Sequence, residues 1–531
     1  MTSGSAQVAP LDREDYGKLA QQTLQSEPRS SELCRSSVDP RERLVLAAPG
    51  DDLMSRVLIK GGYVVTVDRT RSVYPGGFVL ISGPQIESVG GPQQLPSQPV
   101  DRTIDASGMI VVPGLINAHQ HFYYHLFKGL GHGLLLEDWF PQLVFPVLPH
   151  LTRDDMELTS YLAAMEMLTT GTTCCLNHLR TTTDEELLLR ISRPTAELGF
   201  RQVIGKEIQC RLPGNPTHPR DLAEEIAYVE DLIPRWTCAH DGLTRLCLVA
   251  ECTSVFVEQK LTCEDLLVES KRLADRHGLK LAAHISGGTL SFDKSYLQIL
   301  RKTGMTDAQM LMQLGILDAS WILVHGINCT PTDLRLVANS GASLVYCPTS
   351  EAVRGGGVGP AALAVQASVN VALGSDGPMV DDSVDMLEQM KACSFLQAVK
   401  HLDPTIMPAE RCLEMATINA ARALGLEDQI GSVEPGKLAD IAIFDLMTPH
   451  GTPSTNPIAS LVYSARGPDA HTVFVNGSEV VSDHRLMTFS DTARVLTAAR
   501  TRAREIVTKA GLTARATSPW ETSSSQRDLV S

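Results

Sequence analysis

Residues 108–121 read GMIVVPGLINAHQH, an apolar run that ends in two histidines, His119 and His121. Its β-branched residues and a period near two mark a strand. Residues i and i+2 of a strand point to the same side, so the two imidazoles share a face at the strand's C-terminal end. Seven further apolar runs follow: TTCCLNHL (172–179), RQVIGKEIQC (201–210), TRLCLVAECT (244–253), KLAAHISG (280–287), WILVHGIN (321–328), ASLVYCPTS (342–350) and VNVALGSDG (369–377). Helix-like segments such as DDMELTSYLAAMEMLTTG and CEDLLVESKRLADRHG lie between them. Alternation of this kind implies parallel strands joined by crossover helices, and eight units suggest an α/β fold closed as a (β/α)8 TIM barrel. An open doubly wound sheet is the runner-up, but no GxGxxG follows an early strand.

Outward from this core, VLIKGGYVVTVD (57–68) and GGFVLISGPQIESVGG (76–91) come before it, and LADIAIFDL (438–446) and HTVFVNGSEVVSD (471–483) come after it. All four carry strand patterns, and the last turns at Asn476-Gly477. Barrel termini lie close together. Residues 55–112 and 432–490 are therefore expected to form one small composite β domain beside a barrel of residues 113–431. Residues 1–54, rich in Ser, Arg, Glu, Asp and Pro, are expected to be a mobile extension. Residues 491–531 are expected to be a helix followed by a disordered tail.

The 531 residues carry 46 Lys and Arg against 61 Asp and Glu, a net charge of −15. That balance argues against nucleic acid or anionic lipid as a partner. No stretch of 18 apolar residues exists, so no membrane-spanning helix is expected, and the N-terminus lacks a secretory pattern. The 12 cysteines show no CxxC pair with zinc spacing, and a reducing, cytoplasmic setting is the simplest reading. The adjacent Cys174 and Cys175 read as strand packing. The expected partner is a small-molecule substrate. Homo-oligomer formation is left open.

Chemistry concentrates at the strand ends. His284, His325 and Asp376 close their apolar runs as His119 and His121 close theirs. In an α/β barrel the C-terminal strand ends form the active site. Three neutral imidazoles and a carboxylate suit one divalent transition metal ion, zinc first and iron(II) second, rather than magnesium.

VVPGLINAHQH, HISGG, ILVHGIN, VNVALGSDG and GSVEPGKLADIAIFD together resemble the amidohydrolase superfamily, and in particular its chlorohydrolase, guanine-deaminase and atrazine-degrading branch. The resemblance runs from about residue 57 to 490. It implies a single metal ion in the barrel, with His119, His121, His284 and Asp376 as ligands. It implies that His325 holds the catalytic water or stands as an extra ligand, and that Asp376 accepts the water's proton. It points to hydrolysis of a non-peptide carbon–nitrogen bond in a small aromatic or heterocyclic molecule.

Two departures qualify it. Deaminating members of the branch carry His-x-x-Glu at the fifth strand, and here the segment is His284-Ile285-Ser286-Gly287. The carboxylic acid that protonates a ring nitrogen is thus replaced by Gly287. The familiar CPTSN also reads CPTSE, ending at Glu351. On that ground amide, urea or carbamate cleavage is favoured. Deamination of a purine-, pterin- or triazine-like ring is the alternative, and a non-catalytic binding barrel the further one. Four residues are expected to touch substrate: His125 and His178, and Glu251 and Glu351, either of which could replace the lost acid. Phe122 and Tyr123 suit pocket lining or barrel packing equally. Lys206 in IGKEIQ sits where other branches bridge two metals, which the single-metal pattern disfavours.

Overall fold

The computed structural model describes residues 56–179, 184–253, 256–257, 259–288, 300 and 303–517. The expected N-terminal extension and the end of the C-terminal tail lie outside these residues.

Strands β1 (Arg56–Val65), β2 (Val73–Ser82), β3 (Gln85–Gly90), β4 (Arg102–Asp105) and β5 (Met109–Pro113) come first. Eight more follow: β6 (Leu115–Gln120), β7 (Thr172–His178), β8 (Arg201–Glu207), β9 (Thr244–Val249), β10 (Leu281–Ile285), β11 (Trp321–His325), β12 (Ser343–Tyr346) and β13 (Asn370–Leu373). They pair in sequence order, β6 to β13, and every pair is parallel. Each coincides with one of the eight apolar runs. The last strand reaches the first through Asp376, whose N–H donates to the His119 carbonyl at 3.1 Å. The result is a nearly closed barrel with helices outside it, as expected.

Strands covered on both faces must be apolar on both faces. Every residue of β7 and β8 is buried. Alternate residues, among them Leu176, Val203, Val249, Ala282, Ile322 and Ala372, form one core cluster inside the barrel. Ala420, Ala421 and Leu424 of the helix Ile418–Leu424 join that cluster. This helix and Ala416 just before it close the N-terminal end, where the Asn419 and Ala416 carbonyls accept from Asn370 Nδ2 and the Ile116 N–H at the strand starts. The C-terminal end is left for the site.

Strands β14 (Ile441–Asp445), β15 (Ala470–Val475), β16 (Ser478–Ser482) and β17 (Arg485–Leu486) return after the barrel. They join β1 to β5 in a second sheet, in which β14 pairs antiparallel with β5, Ile443 opposite Val111. Segments from before and after the barrel therefore share one sheet. A buried ion pair locks it to the barrel: Arg201, the first residue of β8, places both arms on Asp440 at 2.8 and 2.9 Å. The helix Thr492–Lys509 follows where a helix was expected. Among the described residues no helix is long and apolar enough to cross a membrane. The described cysteines are free thiols, and Cys174 and Cys175 are fully buried in β7.

Candidate metal and active site

The period of two decides which strand-end residues face inward. Leu176, Val249 and Ala282 lie in the barrel's interior cluster, so His178, Glu251 and His284, two residues on, face the same way. Ala372 carries that parity through Gly374 to Asp376. A Cβ on Gly374 would come within 2.9 Å of the His119 Cβ, so glycine is what lets β13 approach β6. His119, His121 and His325 break the pattern: Ile116 and Ala118 are the interior residues of β6, whose register with β7 slips between Asn117 and Gln120. Val324 is the interior residue of β11, and His325 has a left-handed backbone (φ 72°) that redirects its side chain. Asp376 (φ 59°) and Ser286 (φ 44°) also lie in this region. Uncommon backbone of this kind gathers at functional sites because the surrounding structure must hold it.

Five side chains converge. His119 Nε2 and His121 Nε2 each lie 3.5 Å from Asp376 Oδ1. The rings of His119 and His284 are 4.9 Å apart, and those of His119 and His121 4.7 Å. Their possible ligand atoms fall within 4.8 Å of one another in the sets His119–His121–His284 and His119–His325–Asp376. Burial pushes His119 down to about 4 and holds His121 and His284 well below the ordinary histidine range, so all three are neutral near pH 7. Burial opposes the charge on Asp376, yet Arg354 and the histidines around it hold the carboxyl well below the usual range.

The hydrogen bonds fix the tautomers. A carbonyl or a carboxylate can only accept, so His121 Nδ1 donates to the His178 carbonyl at 2.6 Å and His284 Nδ1 donates to Glu251 Oε1 at 2.6 Å. Both Nε2 lone pairs are thereby presented to the cluster. His119 is fully buried and neither of its ring nitrogens has a hydrogen-bond partner. A buried imidazole left in that state is costly unless its lone pair goes to something else. The residues present therefore fit a metal ion, and the donor set of imidazoles and one carboxylate is that of zinc or iron(II).

A cavity of about 590 Å³, open solvent at its mouth included, lies over this cluster. His121, His284, His325, Asp376, Gly287 and Glu351 form its polar end, and Tyr124, Leu136, Trp139, Phe140 and Phe256 its apolar walls. Glu351 Oε1 is 2.8 Å from His325 Nδ1 but off the line of an N–H there, so the pair is a close contact without an aligned hydrogen bond.

Three residues expected to touch substrate do not line this cavity. His178 and Glu251 lie beneath it: His178 Nε2 donates to Glu251 Oε1 at 2.8 Å, and Glu251 Oε2 accepts from the His284 backbone N–H at 3.3 Å. With both oxygens engaged, Glu251 is an orienting group for His284. His125 turns away within the 3-10 helix Phe122–Phe127, bonding the Phe122 carbonyl at 2.9 Å and facing Glu166. Phe122 and Tyr123 are buried in the core. Lys206 is spent on the Glu207 carbonyl and on Glu225, at 2.6 and 2.8 Å.

Arg354 was missed by the sequence reading. It is buried at the cavity wall and donates to Asp376 and to Ser350, while Ser350 Oγ reaches Asp376 Oδ2 at 2.6 Å. The available signal was its place in CPTSEAVR, directly after a strand end. Ser350 and Arg354 are four apart across the end of the helix Pro348–Val353, hence on one face.

The sequence profile of the Amidohydrolase family matches residues 110–480. A 5-methylthioadenosine/S-adenosylhomocysteine deaminase of Syntrophobacter fumaroxidans is 33% identical over 437 residues, which cover 82% of this chain and 94% of that protein. A deaminase of the same name from Pyrococcus furiosus is 32% identical, covering 82% and 97%. Among solved structures, an adenosine deaminase from Xanthomonas campestris with bound zinc superposes with a TM-score of 0.77 at 26% identity, covering 86% of this chain and 99% of that one. Atrazine chlorohydrolase from Arthrobacter aurescens in complex with zinc gives 0.76 at 21% identity, covering 84% and 100%, a likeness of fold.

Proposed function

The chain belongs to the amidohydrolase family, as a metal-dependent hydrolase of non-peptide carbon–nitrogen bonds, and from that premise we propose that it deaminates the ring of a 6-aminopurine nucleoside. Nucleosides carrying a 5′-thioether, such as 5′-methylthioadenosine or S-adenosylhomocysteine, are the first candidates. The observation that carries this reading is the similarity to deaminases of that name over more than nine-tenths of their length. It moves the weight from amide, urea or carbamate cleavage, which Gly287 had suggested, to the ring-deaminase alternative. The cavity agrees with it: its walls are aromatic and apolar, and its polar groups gather at one end.

In this reading His119, His121, His284 and Asp376 hold one zinc ion. A divalent metal bound there would supply a water acidic enough to lose a proton near neutral pH. Asp376 takes that proton and later delivers it to the departing amino group. His325 orients the water. Glu251 and His178 keep the His284 ring in one tautomer and one position. Tyr124, Trp139, Phe140 and Phe256 enclose the purine and sugar and exclude bulk water.

The test is a panel of aminated purine nucleosides, aminotriazines, anilides and phenylureas given to metal-loaded protein, with ammonia and amines measured separately. Ammonia from 5′-methylthioadenosine or S-adenosylhomocysteine is the expected result. Amine release from anilides or ureas, with no aminopurine deaminated, would overturn the reading.

A further inference from the structure

We propose that Glu351 supplies the proton that the ring nitrogen takes up during deamination, in place of the carboxylic acid missing at Gly287. The proposal rests on the ring-deaminase reading above. Water adds poorly to an aminopurine carbon unless the neighbouring ring nitrogen is protonated, so the site needs an acid besides the group that activates water.

Three observations lead to Glu351. The first is the vacancy at Gly287. Among the described residues, a Cβ built there would meet nothing nearer than His325 Cδ2 and the Ile285 carbonyl, both at 4.0 Å. Among the described residues no crowding demands glycine at this place, beside His325. The second is elimination. Among the described residues that line the cavity, Glu351 and Asp376 are the carboxylates. Asp376 is committed to the metal and to the water's proton. Glu251 lies below the cavity with both oxygens in hydrogen bonds. The third is the freedom of Glu351 itself. It is 5% exposed, faces the cavity, and touches His325 Nδ1 at 2.8 Å without an aligned hydrogen bond. The nearby Arg354 is turned onto Asp376 and Ser350.

The step balances as follows. The oxygen of water bonds to the ring carbon, and the water's first proton goes to Asp376. The carbon–nitrogen π pair moves to the ring nitrogen, which takes the Glu351 proton. The bond from carbon to the amino group then breaks, and the amino group leaves as ammonia with the proton from Asp376. The new hydroxyl returns its proton to Glu351 as the ring carbonyl forms.

The test uses Glu351→Gln and the double variant Glu351→Gln with Gly287→Glu, in the full-length, metal-loaded protein. Metal content, thermal unfolding and the affinity for a purine nucleoside lacking the 6-amino group are measured beside kcat for ammonia release. The expected result for Glu351→Gln is a loss in kcat of about 10²-fold or more, a general-acid magnitude, with metal content, unfolding and ligand affinity unchanged. The double variant is expected to recover tenfold or more of that loss. Position 287 lies at the Cδ2 edge of the His325 ring and Glu351 at the Nδ1 edge, so a carboxylate at 287 does not restore the contact at Nδ1. A Glu351→Gln rate within threefold of the parent overturns the proposal. A loss that the double variant does not recover also overturns it, and reduces Glu351 to a residue that positions His325. Failure of the parent protein to deaminate any aminopurine is a separate outcome, which removes the ring-deaminase reading itself.

Discussion

In the proposed site Glu251 acts through the rings it holds and not on substrate. Its Oε1 accepts from both His284 Nδ1 and His178 Nε2, so one carboxylate oxygen fixes two rings. Groups that orient a ligating imidazole in this way typically contribute 10–100-fold to metal affinity. Glu251→Gln keeps the size but loses the charge, and its amide can turn a donor toward the His284 backbone N–H. Zinc affinity measured by competition with a chelator is expected to fall by about 10–100-fold, while kcat at saturating zinc falls much less. Asp376→Asn should show a different pattern, because an amide cannot take a proton from water. Its kcat is expected to drop by about 10² or more even with zinc in excess. Equal losses in the two variants at saturating zinc would refute the separation of roles. The sequence pointed to His119, His121, His284 and Asp376 as candidate ligands because each ends an apolar run. It put Glu251 and His178 at the substrate, since the choice between substrate contact and support depends on depth along the barrel axis, which no linear pattern carries.

At the scale of elements, a strand's period of two does most of the positioning. It explains why Leu176, Val249 and Ala282 inside the barrel lead to His178, Glu251 and His284 at its mouth. It fails at His119 and His121, where the register of β6 slips, and at His325, where the left-handed turn decides and the sequence around WILVHGIN gives only the following glycine as a warning. The pairing of the second sheet with the barrel was legible as terminal strand patterns, but its fastening was not. Arg201 and Asp440 are 239 positions apart and both buried, and Asp440 Oδ1 also accepts from the Asn476 backbone N–H at 2.8 Å. Removing one partner of a buried pair strands the other charge, at a cost of about 3–5 kcal/mol. Asp440→Ala should lower the unfolding free energy in urea by that order. Arg201 opens β8, at the opposite end of the strand from the cavity, so KM should stay unchanged. A stability loss below about 1 kcal/mol, or a raised KM, would contradict this account.

For the molecule as a whole, the barrel and the composite sheet were readable because burial on both strand faces and eightfold alternation leave a strong mark on composition. The enclosure of the histidines was not, and it governs how the whole fold answers to acid. His119 titrates near 6.5 when unfolded and about 4 when folded, because burial disfavours its charged form. Between those values the unfolded chain binds the extra proton. Stability contributed by this residue is therefore present above pH 6.5 and is lost as pH falls toward 4. The gap corresponds to about 3 kcal/mol as an order of magnitude. Buried carboxyls act in the opposite sense: Asp307 and Asp385, both raised to about 7, favour folding while protonated and lose that contribution as pH rises from 3.8 through 7. A stability profile of the protein alone mixes the two. The comparison that isolates the histidine is metal-free parent against metal-free His119→Asn, unfolded in urea from pH 7 to pH 4. The carboxyl contributions are common to both chains and cancel, while the asparagine has no proton to gain. The stability difference, parent minus variant, is expected to decline by about 3 kcal/mol across that range, most of it between pH 6 and pH 4.5. A constant difference would mean that His119 is as accessible to protons in the folded chain as in the unfolded one, and the buried, neutral imidazole needed for metal binding would have to be given up.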